Sequence, residues 1–327
     1  MAILICGGAG YIGSHAVKEL VAKNEEVIVL DNLSTGHEEA VHPKAILYQG
    51  DLRDEVILRT IFTEHKIDTV MHFAASSLVG ESVEKPIEYY ENNVSAAIKL
   101  LKVMKEFEIN EFIFSSTAAT YGEVHQNLIT EDTPTFPTNP YGDTKLAIEK
   151  LLKWYSQSSD FKYKVFRYFN VAGASGDSTI GEDHTPETHL IPIVLEVALG
   201  KRNEIKVFGN DYSTEDGTCI RDYIHVEDLV EAHILGIHHL REKNESDIYN
   251  LGNGLGFSVL DIITSAKNVT GKDINYSIAE RRPGDPARLV ASSEKAQKVL
   301  GWSPKYPSIE SIIKTAWKWH SENPEGY

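Results

Sequence analysis

Three glycines, Gly8, Gly10 and Gly13, stand between a short apolar run and an amphipathic stretch, and this context constrains the chain more than any other feature. Ala2-Ile3-Leu4-Ile5-Cys6 has the length and continuity of a buried strand. The helical pattern that follows runs to about Lys23. Strand, glycine turn and helix in that order make the dinucleotide-binding fingerprint. The glycines allow a tight turn and close approach to a pyrophosphate, which rests on the free N–H groups of the helix N-terminus. A second apolar strand, Val27 to Leu30, ends in Asp31. A carboxylate there accepts hydrogen bonds from the adenosine ribose and repels a 2′-phosphate, so the reading is NAD rather than NADP.

Strand and helix patterns alternate through about residue 170. Ile46 to Tyr48, Thr69 to Phe73, Glu111 to Ser115 and Tyr163 to Arg167 read as strands, with a helix from about Arg53 to His65. The alternation predicts an α/β fold, a Rossmann-type doubly wound parallel sheet covered on both faces. Its ligand crevice lies at the C-terminal strand ends, where Gly13, Asp31, Asp51, Phe73, Ser115 and Asn170 converge. From about Ala172 the alternation breaks down, and Gly, Asp, Thr and Pro are dense over 173–187, 209–217 and 283–286. These shifts suggest an NAD-binding domain over 1–170 and a smaller, loop-rich α/β substrate lobe over 171–327, with chain crossings between them.

Tyr141 and Lys145 lie one helical turn apart, on one face. A neighbouring ammonium favours a phenolate, lowering a pKa that starts at about 10. Such a tyrosine can take the proton of a sugar or alcohol hydroxyl. The net charge of −16 argues against nucleic acid or an anionic membrane as partner, and it requires local arginines for any anionic substrate. Two cysteines, Cys6 and Cys219, make no disulfide framework and fit a reducing compartment. The N-terminal apolar run is too short for a membrane span and has no basic region before it, which reads as cytoplasmic. Neither His238-His239 nor His125 has metal-binding spacing, and no metal is expected.

Between Pro86 and Phe107 a helical pattern carries two apolar stripes: Val94, Ile98 and Leu101, and Leu100, Val103 and Phe107. One packs on the sheet. The other needs a cover, either a further segment of the chain or a second subunit meeting it together with the helix after Tyr141.

Longer motifs run almost end to end. They include GGAGYIGSH (7–15), VLDNLSTG (29–36), HFAA (72–75), VGESVEKPIEYYENN (79–93), FIFSST (112–117), YGDTK (141–145), RYFNVAGA (167–174), the run 209–229, YNLGNG (249–254) and RRPGD (281–285). By these motifs the chain resembles the extended short-chain dehydrogenase/reductase family, in particular its UDP-hexose 4-epimerase branch. The resemblance implies a tightly held NAD, with the pyrophosphate on Gly7, Gly10, Tyr11, Ile12 and Gly13. It places Asp31 and Asn32 at the adenosine ribose, Asp51 and Leu52 near adenine, and Phe73, Ala74, Asn92, Ser115 and Tyr168 along the rest. Lys145 would touch the nicotinamide ribose. Tyr141 would be the base, with Thr117 its partner at the sugar 4-hydroxyl. Asn170, His189, Leu190, Phe208, Arg221, Arg282, Asp285 and Leu289 match positions holding the UDP-sugar. The implied reaction interconverts UDP-galactose and UDP-glucose: carbon 4 is oxidised transiently, the 4-keto sugar turns over, and the hydride returns to its other face.

The resemblance also implies an isomerase of galactose metabolism and a homodimer, joined through helices near 86–107 and 141–157. There are departures. Ser76-Ser77 stand where some relatives carry lysine, and His189 where others have asparagine. Leu289, intermediate in bulk at a position that limits the hexose pocket, opens the alternative of a relaxed enzyme also taking N-acetylated UDP-hexoses. A 4,6-dehydratase needs an acid and a base after the active-site threonine, where this chain has Ala118-Ala119. A catalytically silent NAD-binding regulatory protein would have no need of Thr117, Tyr141 and Lys145 together.

Overall fold

The computed structural model describes residues 2–124, 126–282 and 285–327. His125 and the Pro283-Gly284 part of the last turn-rich piece lie outside the described residues. The first half of the chain supplies strands β1 (Ala2–Cys6), β2 (Glu26–Asp31), β3 (Ile46–Gln49), β4 (Ile67–His72), β5 (Glu111–Thr117) and β6 (Lys162–Tyr168). Short strands follow: β7 (Asn170–Ala172), β8 (Ile205–Phe208), β9 (Ile220–Arg221), β10 (Tyr223–His225), β11 (Asp247–Leu251), β12 (Phe257–Ser258), β13 (Tyr276–Ala279) and β14 (Arg288–Leu289). The helices are α1 (Tyr11–Ala22), α2 (Glu55–Glu64), α3 (Val79–Glu84), α4 (Pro86–Tyr89), α5 (Ala96–Glu106), α6 (Pro140–Gln157), α7 (Leu190–Ala198), α8 (Val226–Lys243), α9 (Val259–Thr270), α10 (Glu294–Leu300) and α11 (Ile309–Glu322).

Seven strands form one sheet in the order β11-β6-β5-β4-β1-β2-β3, and every pairing is parallel. β1 explains why its sequence is apolar throughout. Alternate side chains point to opposite faces, and Ala2, Leu4 and Cys6 enter one hydrophobic core while Ile3 and Ile5 enter the other. Strand order reverses direction on either side of β1, which opens a crevice at the strands' C-terminal ends. A third core, built from α7, α9 and α11, supports the shorter strands.

One strand end departs from the sequence reading. β5 runs on to Thr117, so that Thr117, not Ser115, is the last strand residue. The chain returns to the sheet late: α8 packs against α1, β5 and β6, and β11 then pairs with β6 as the sheet's edge. The helical span expected from Pro86 to Phe107 is α4 and α5 joined by a π-helical turn, Tyr90–Ser95. Leu100, Leu101 and Val103 are buried in the core, whereas Ile98 is half exposed. Val83, Ile87 and Trp154 are more exposed still. Among the described residues no helix is long and apolar enough to cross a membrane.

Candidate active site

A cavity of about 750 Å³ lies over the C-terminal ends of β2, β1, β4, β5 and β6. The glycine turn forms its floor. Gly7 has φ +82°, the left-handed region that glycine tolerates, and a Cβ there would stand 2.5 Å from the Ala74 nitrogen. A Cβ on Gly13 would run into the Gly7 carbonyl, so α1 seats directly on the turn. Gly10 caps α1 without a side-chain bond, and the first turn carries no acid. The N–H groups of Tyr11, Ile12 and Gly13, the positive end of the helix, are therefore free to face an anion in the cavity that these residues line.

Asp31 closes one side. Its carboxylate accepts 2.9 Å hydrogen bonds from the Ala9 and Leu33 N–H groups, which fix its direction. Beyond it Asn32, Asp51 and Leu52 line the cavity. Hydrogen bonds from Arg53, a residue the sequence reading passed over, hold the Asp51 carboxyl down to about 2. Phe73, Ala74 and Asn92 continue the lining. The π turn explains how Asn92 and Asn93 serve the same region. Asn92 Nδ2 donates to Ser76 Oγ at 3.0 Å. Asn93 is buried, accepts from the Ser76 N–H at 2.8 Å and donates to Thr144 Oγ1 at 3.1 Å. Wider winding lets adjacent residues turn inward together, and such turns occur often at functional sites.

The reactive end lies where α6 meets β5. Asn139 caps α6 by accepting from the Gly142 N–H at 2.9 Å, which sets Tyr141 in the first turn and Lys145 one turn on. Both line the cavity with Ser115, Thr117 and Tyr168. The Thr117 hydroxyl accepts from the Ala119 N–H at 3.1 Å, while Ser115 Oγ and the Tyr168 hydroxyl share a hydrogen bond. Lys145 Nζ donates to the Ser115 carbonyl at 2.9 Å and lies 5.0 Å from the Phe114 ring centroid.

The electrostatics correct one sequence expectation. Burial raises the Tyr141 pKa, and the opposing influence is the Thr117 hydroxyl rather than Lys145. Burial also brings the Lys145 ammonium down to about 7 against the pull of Glu149. Desolvation outweighs the mutual effect of the pair in the protein alone.

Beneath α6 lies a buried network that the sequence did not reveal. Arg167 donates to Glu149 through Nη2 at 2.5 Å and Nε at 3.0 Å, and through Nη1 to the Tyr121 hydroxyl at 3.0 Å. Tyr121 in turn donates to Asn250 on β11 at 2.7 Å. Read alone, Glu149 is one more helical acid; only its partner Arg167 on the following strand, β6, gives it a role.

Of the expected sugar-nucleotide groups, Asn170, His189 and Leu190 join Thr117 and Tyr141 in this cavity. Phe208, Arg221, Arg282, Asp285 and Leu289 do not. They make a separate wall on β8, β9, β14 and the loop before β14. Arg221 pairs with Asp285 at 2.8 Å and also donates to the Pro286 carbonyl at 2.9 Å. The Arg282 guanidinium lies 4.1 Å over the Phe208 ring, and Leu289 is in register with Arg221. Arg282 and Asp285 border a second cavity, of about 1290 Å³. Tyr223 joins the two regions. It lines the first cavity beside Asn170, and the charge of Arg221 opposes the burial that raises its pKa.

The turn-rich stretch before α7 brings together groups that no sequence spacing had singled out. Glu182, His184, Glu187 and His189 place their ligand atoms within 4.8 Å of one another. His189 Nδ1 is 2.6 Å from Glu182 Oε1, so the group expected near the diphosphate is engaged with a buried acid. The expectation of no metal had considered only other histidines.

The family model described as the NAD dependent epimerase/dehydratase family matches residues 3–252. The chain belongs to that family. A UDP-glucose 4-epimerase of Halalkalibacterium halodurans is 59% identical over 327 residues, covering 100% of this chain and 98% of that protein. A crystal structure of a UDP-glucose 4-epimerase superposes with TM-score 0.98 at 63% identity, over 100% of this chain and 99% of that one. The Bifidobacterium longum enzyme, solved in complex with NAD+ and UDP, gives TM-score 0.95 at 41% identity, with 100% of both chains covered. NAD fits the residues present. The Cβ-free cradle, the uncapped helix N-terminus and the fixed Asp31 carboxylate are what a pyrophosphate and a ribose diol require.

Proposed function

We infer that the chain is an isomerase that interconverts UDP-galactose and UDP-glucose with a retained NAD. One observation carries this reading: Thr117, Tyr141 and Lys145 open into the same cavity as the glycine cradle. The high-identity relatives support it over their whole length.

Bound NAD supplies a cationic ring that reversibly accepts hydride from sugar carbon 4. The chain's own groups handle the proton and the position. Tyr141 takes the 4-hydroxyl proton and later returns it, with Thr117 bonded to the same hydroxyl. Lys145 orients the nicotinamide ribose while Glu149 supports its charge. Gly7, Gly10, Tyr11, Ile12, Gly13, Asp31, Asn32, Asp51, Leu52, Phe73, Ala74, Asn92, Ser115 and Tyr168 hold the cofactor. Arg221 and Arg282 anchor the diphosphate and uridine, with Asp285 orienting Arg221 and Phe208 backing Arg282. Anchoring remote from the reacting carbon binds every stage of the reaction alike and leaves the hexose free to turn. Leu289 lines neither cavity, so acceptance of N-acetylated hexoses gains no support from it.

The same reading assigns residues 1–170 to the cofactor and 171–327 to the sugar nucleotide, with α8 and β11 crossing back. It includes a homodimer. Val83, Ile87, Ile98 and Trp154 present an apolar face on α3, α4, α5 and α6, and a second copy would cover it. Ile87→Glu should shift the light-scattering mass from dimer to monomer; a monomeric parent protein would overturn the assembly. Two free cysteines and an acidic surface support a cytoplasmic location.

The deciding assay gives purified protein UDP-galactose without added cofactor and resolves the products by anion-exchange chromatography. UDP-glucose is the expected product. No conversion, even after NAD is supplied, would end this reading.

A further inference from the structure

The loop from Glu182 to His189 carries a feature that the proposed reaction does not use. It has four groups of metal-ligand type in the pattern Glu-x-His-x-x-Glu-x-His. Each offers one ligand atom, the four atoms lie within 4.8 Å of one another, and Glu182, His184 and His189 line the cavity that holds Tyr141. Three of the separations suit a small tetrahedral ion, with the two Glu187 oxygens facing different histidines. Ligands about 2.0–2.2 Å from a zinc-like centre stand about 3.3–3.6 Å from each other. His184 Nδ1 is 3.4 Å from Glu182 Oε1 and 3.6 Å from Glu187 Oε2, and His189 Nδ1 is 3.6 Å from Glu187 Oε1. A fourth separation, His189 Nδ1 to Glu182 Oε1, is at hydrogen-bond length and has to open by less than about 1 Å, and the His184–His189 and Glu182–Glu187 ligand atoms lie within 4.8 Å of each other.

Charge and burial point the same way. The Glu182 side chain is only 3% exposed and that of Glu187 8%. Two carboxylates so placed need positive charge nearby; two protonated imidazoles supply it in the protein alone, and one dication would supply the same charge while leaving each imidazole a neutral donor. A buried histidine nitrogen, Nδ1 of His184, has no hydrogen-bond partner of good geometry, although it points among these acids. The loop is also held from outside the cluster. The Gly181 N–H donates to the Tyr327 hydroxyl at 2.9 Å, the Tyr327 N–H donates to Asp183 at 3.2 Å, and α7 starts directly after His189. Ligands fixed by such contacts lose little freedom on binding.

We propose that Glu182, His184, Glu187 and His189 form a site for one borderline divalent cation of the zinc class. Imidazole and carboxylate together favour zinc, cobalt(II) or nickel(II) over magnesium or calcium. The bound ion would pin the 182–189 loop at the mouth of the cavity. It takes no part in the proton or hydride steps.

The test uses the full chain loaded with NAD, stripped with a chelator and dialysed. Titration with zinc chloride should bind one equivalent per chain, and cobalt(II) should give the visible bands of a tetrahedral centre. Glu187→Gln and His184→Gln should each weaken zinc by at least about tenfold, with far-ultraviolet dichroism unchanged. Substituting alanine at His238 and His239 should leave the stoichiometry intact. Zinc should also slow hydrogen exchange across 181–190. Failure of zinc, cobalt(II) and nickel(II) to bind the parent protein stoichiometrically would overturn the site, and so would octahedral cobalt spectra or undiminished binding in both single variants. These readouts need no activity, so the result stands apart from the function proposed above.

Discussion

The two walls of the candidate site are built in different ways. The cofactor wall is an extension of the sheet: Gly7, Asp31, Phe73 and Thr117 sit at or just beyond strand ends, and parallel register fixes them relative to one another. The nucleotide wall is assembled from two- to four-residue strands, and its arginines are engaged with partners inside the protein. The first wall is shaped by backbone that has no alternative path. The second is shaped by side-chain pairs that a ligand can rearrange. Under the proposed function, chemistry that needs sub-ångström placement falls on the rigid wall, and tight but tolerant anchoring on the other.

This contrast can be broken by experiment. Tyr141→Phe removes the proton carrier from the rigid wall. Turnover should fall by about 10²–10⁴-fold while calorimetric UDP binding is kept; near-normal turnover would remove Tyr141 from the mechanism. Arg221→Ala acts on the other wall. UDP affinity should drop by about 10- to 100-fold, the loss of one charge-assisted anchor, with NAD retention and kcat little changed. A collapse of kcat instead would show that the walls are not separable. Gly7→Ala should cost more than about 1 kcal/mol in urea unfolding, because alanine cannot adopt positive φ without strain. The variant should also purify with less NAD.

The last effect is on the pH dependence of stability and lies in the core around the sheet. Burial lowers His72 to about 3 and His233 to about 4, so both stay neutral when folded. Unfolding returns them to about 6.5, and below that pH the unfolded chain binds more protons. Stability should therefore fall as pH drops from 6.5 toward 4, by about 1.4 kcal/mol per pH unit for each histidine. The slope in His233→Leu should be shallower than in the parent by one histidine's share; equal slopes would place the acid sensitivity elsewhere.

The same contrast governs what the sequence discloses. The cofactor wall was legible because its determinants are local: a strand, a turn and a helix over residues 2–22, with the acid Asp31 at the next strand end. Thr117, Tyr141 and Lys145 were legible as types, and resemblance supplied their meeting. Asn93 was not, because no propensity marks a π turn. Glu149 and Arg167 were hidden because a buried ion pair between a helix and a strand looks, in each segment, like an ordinary surface charge. Glu182, His184 and Glu187 lay in a stretch read only as rich in turns, and His189 was read only as a sugar-nucleotide position. β11 escaped notice since Asp247–Leu251 is a short edge strand without the uniformly apolar character of β1.

One bond described above has a consequence for the order of events during synthesis. Tyr121 and Asn250 are 129 residues apart, and their contact joins the network under α6 to the sheet's edge. While the ribosome is still extending the chain, six strands and α6 emerge long before β11 exists. The nascent glycine cradle can close early, but the brace under Tyr141 and Lys145 must wait for a strand encoded much later. A growing chain of this kind acquires the means to hold a dinucleotide before it acquires a finished reaction centre.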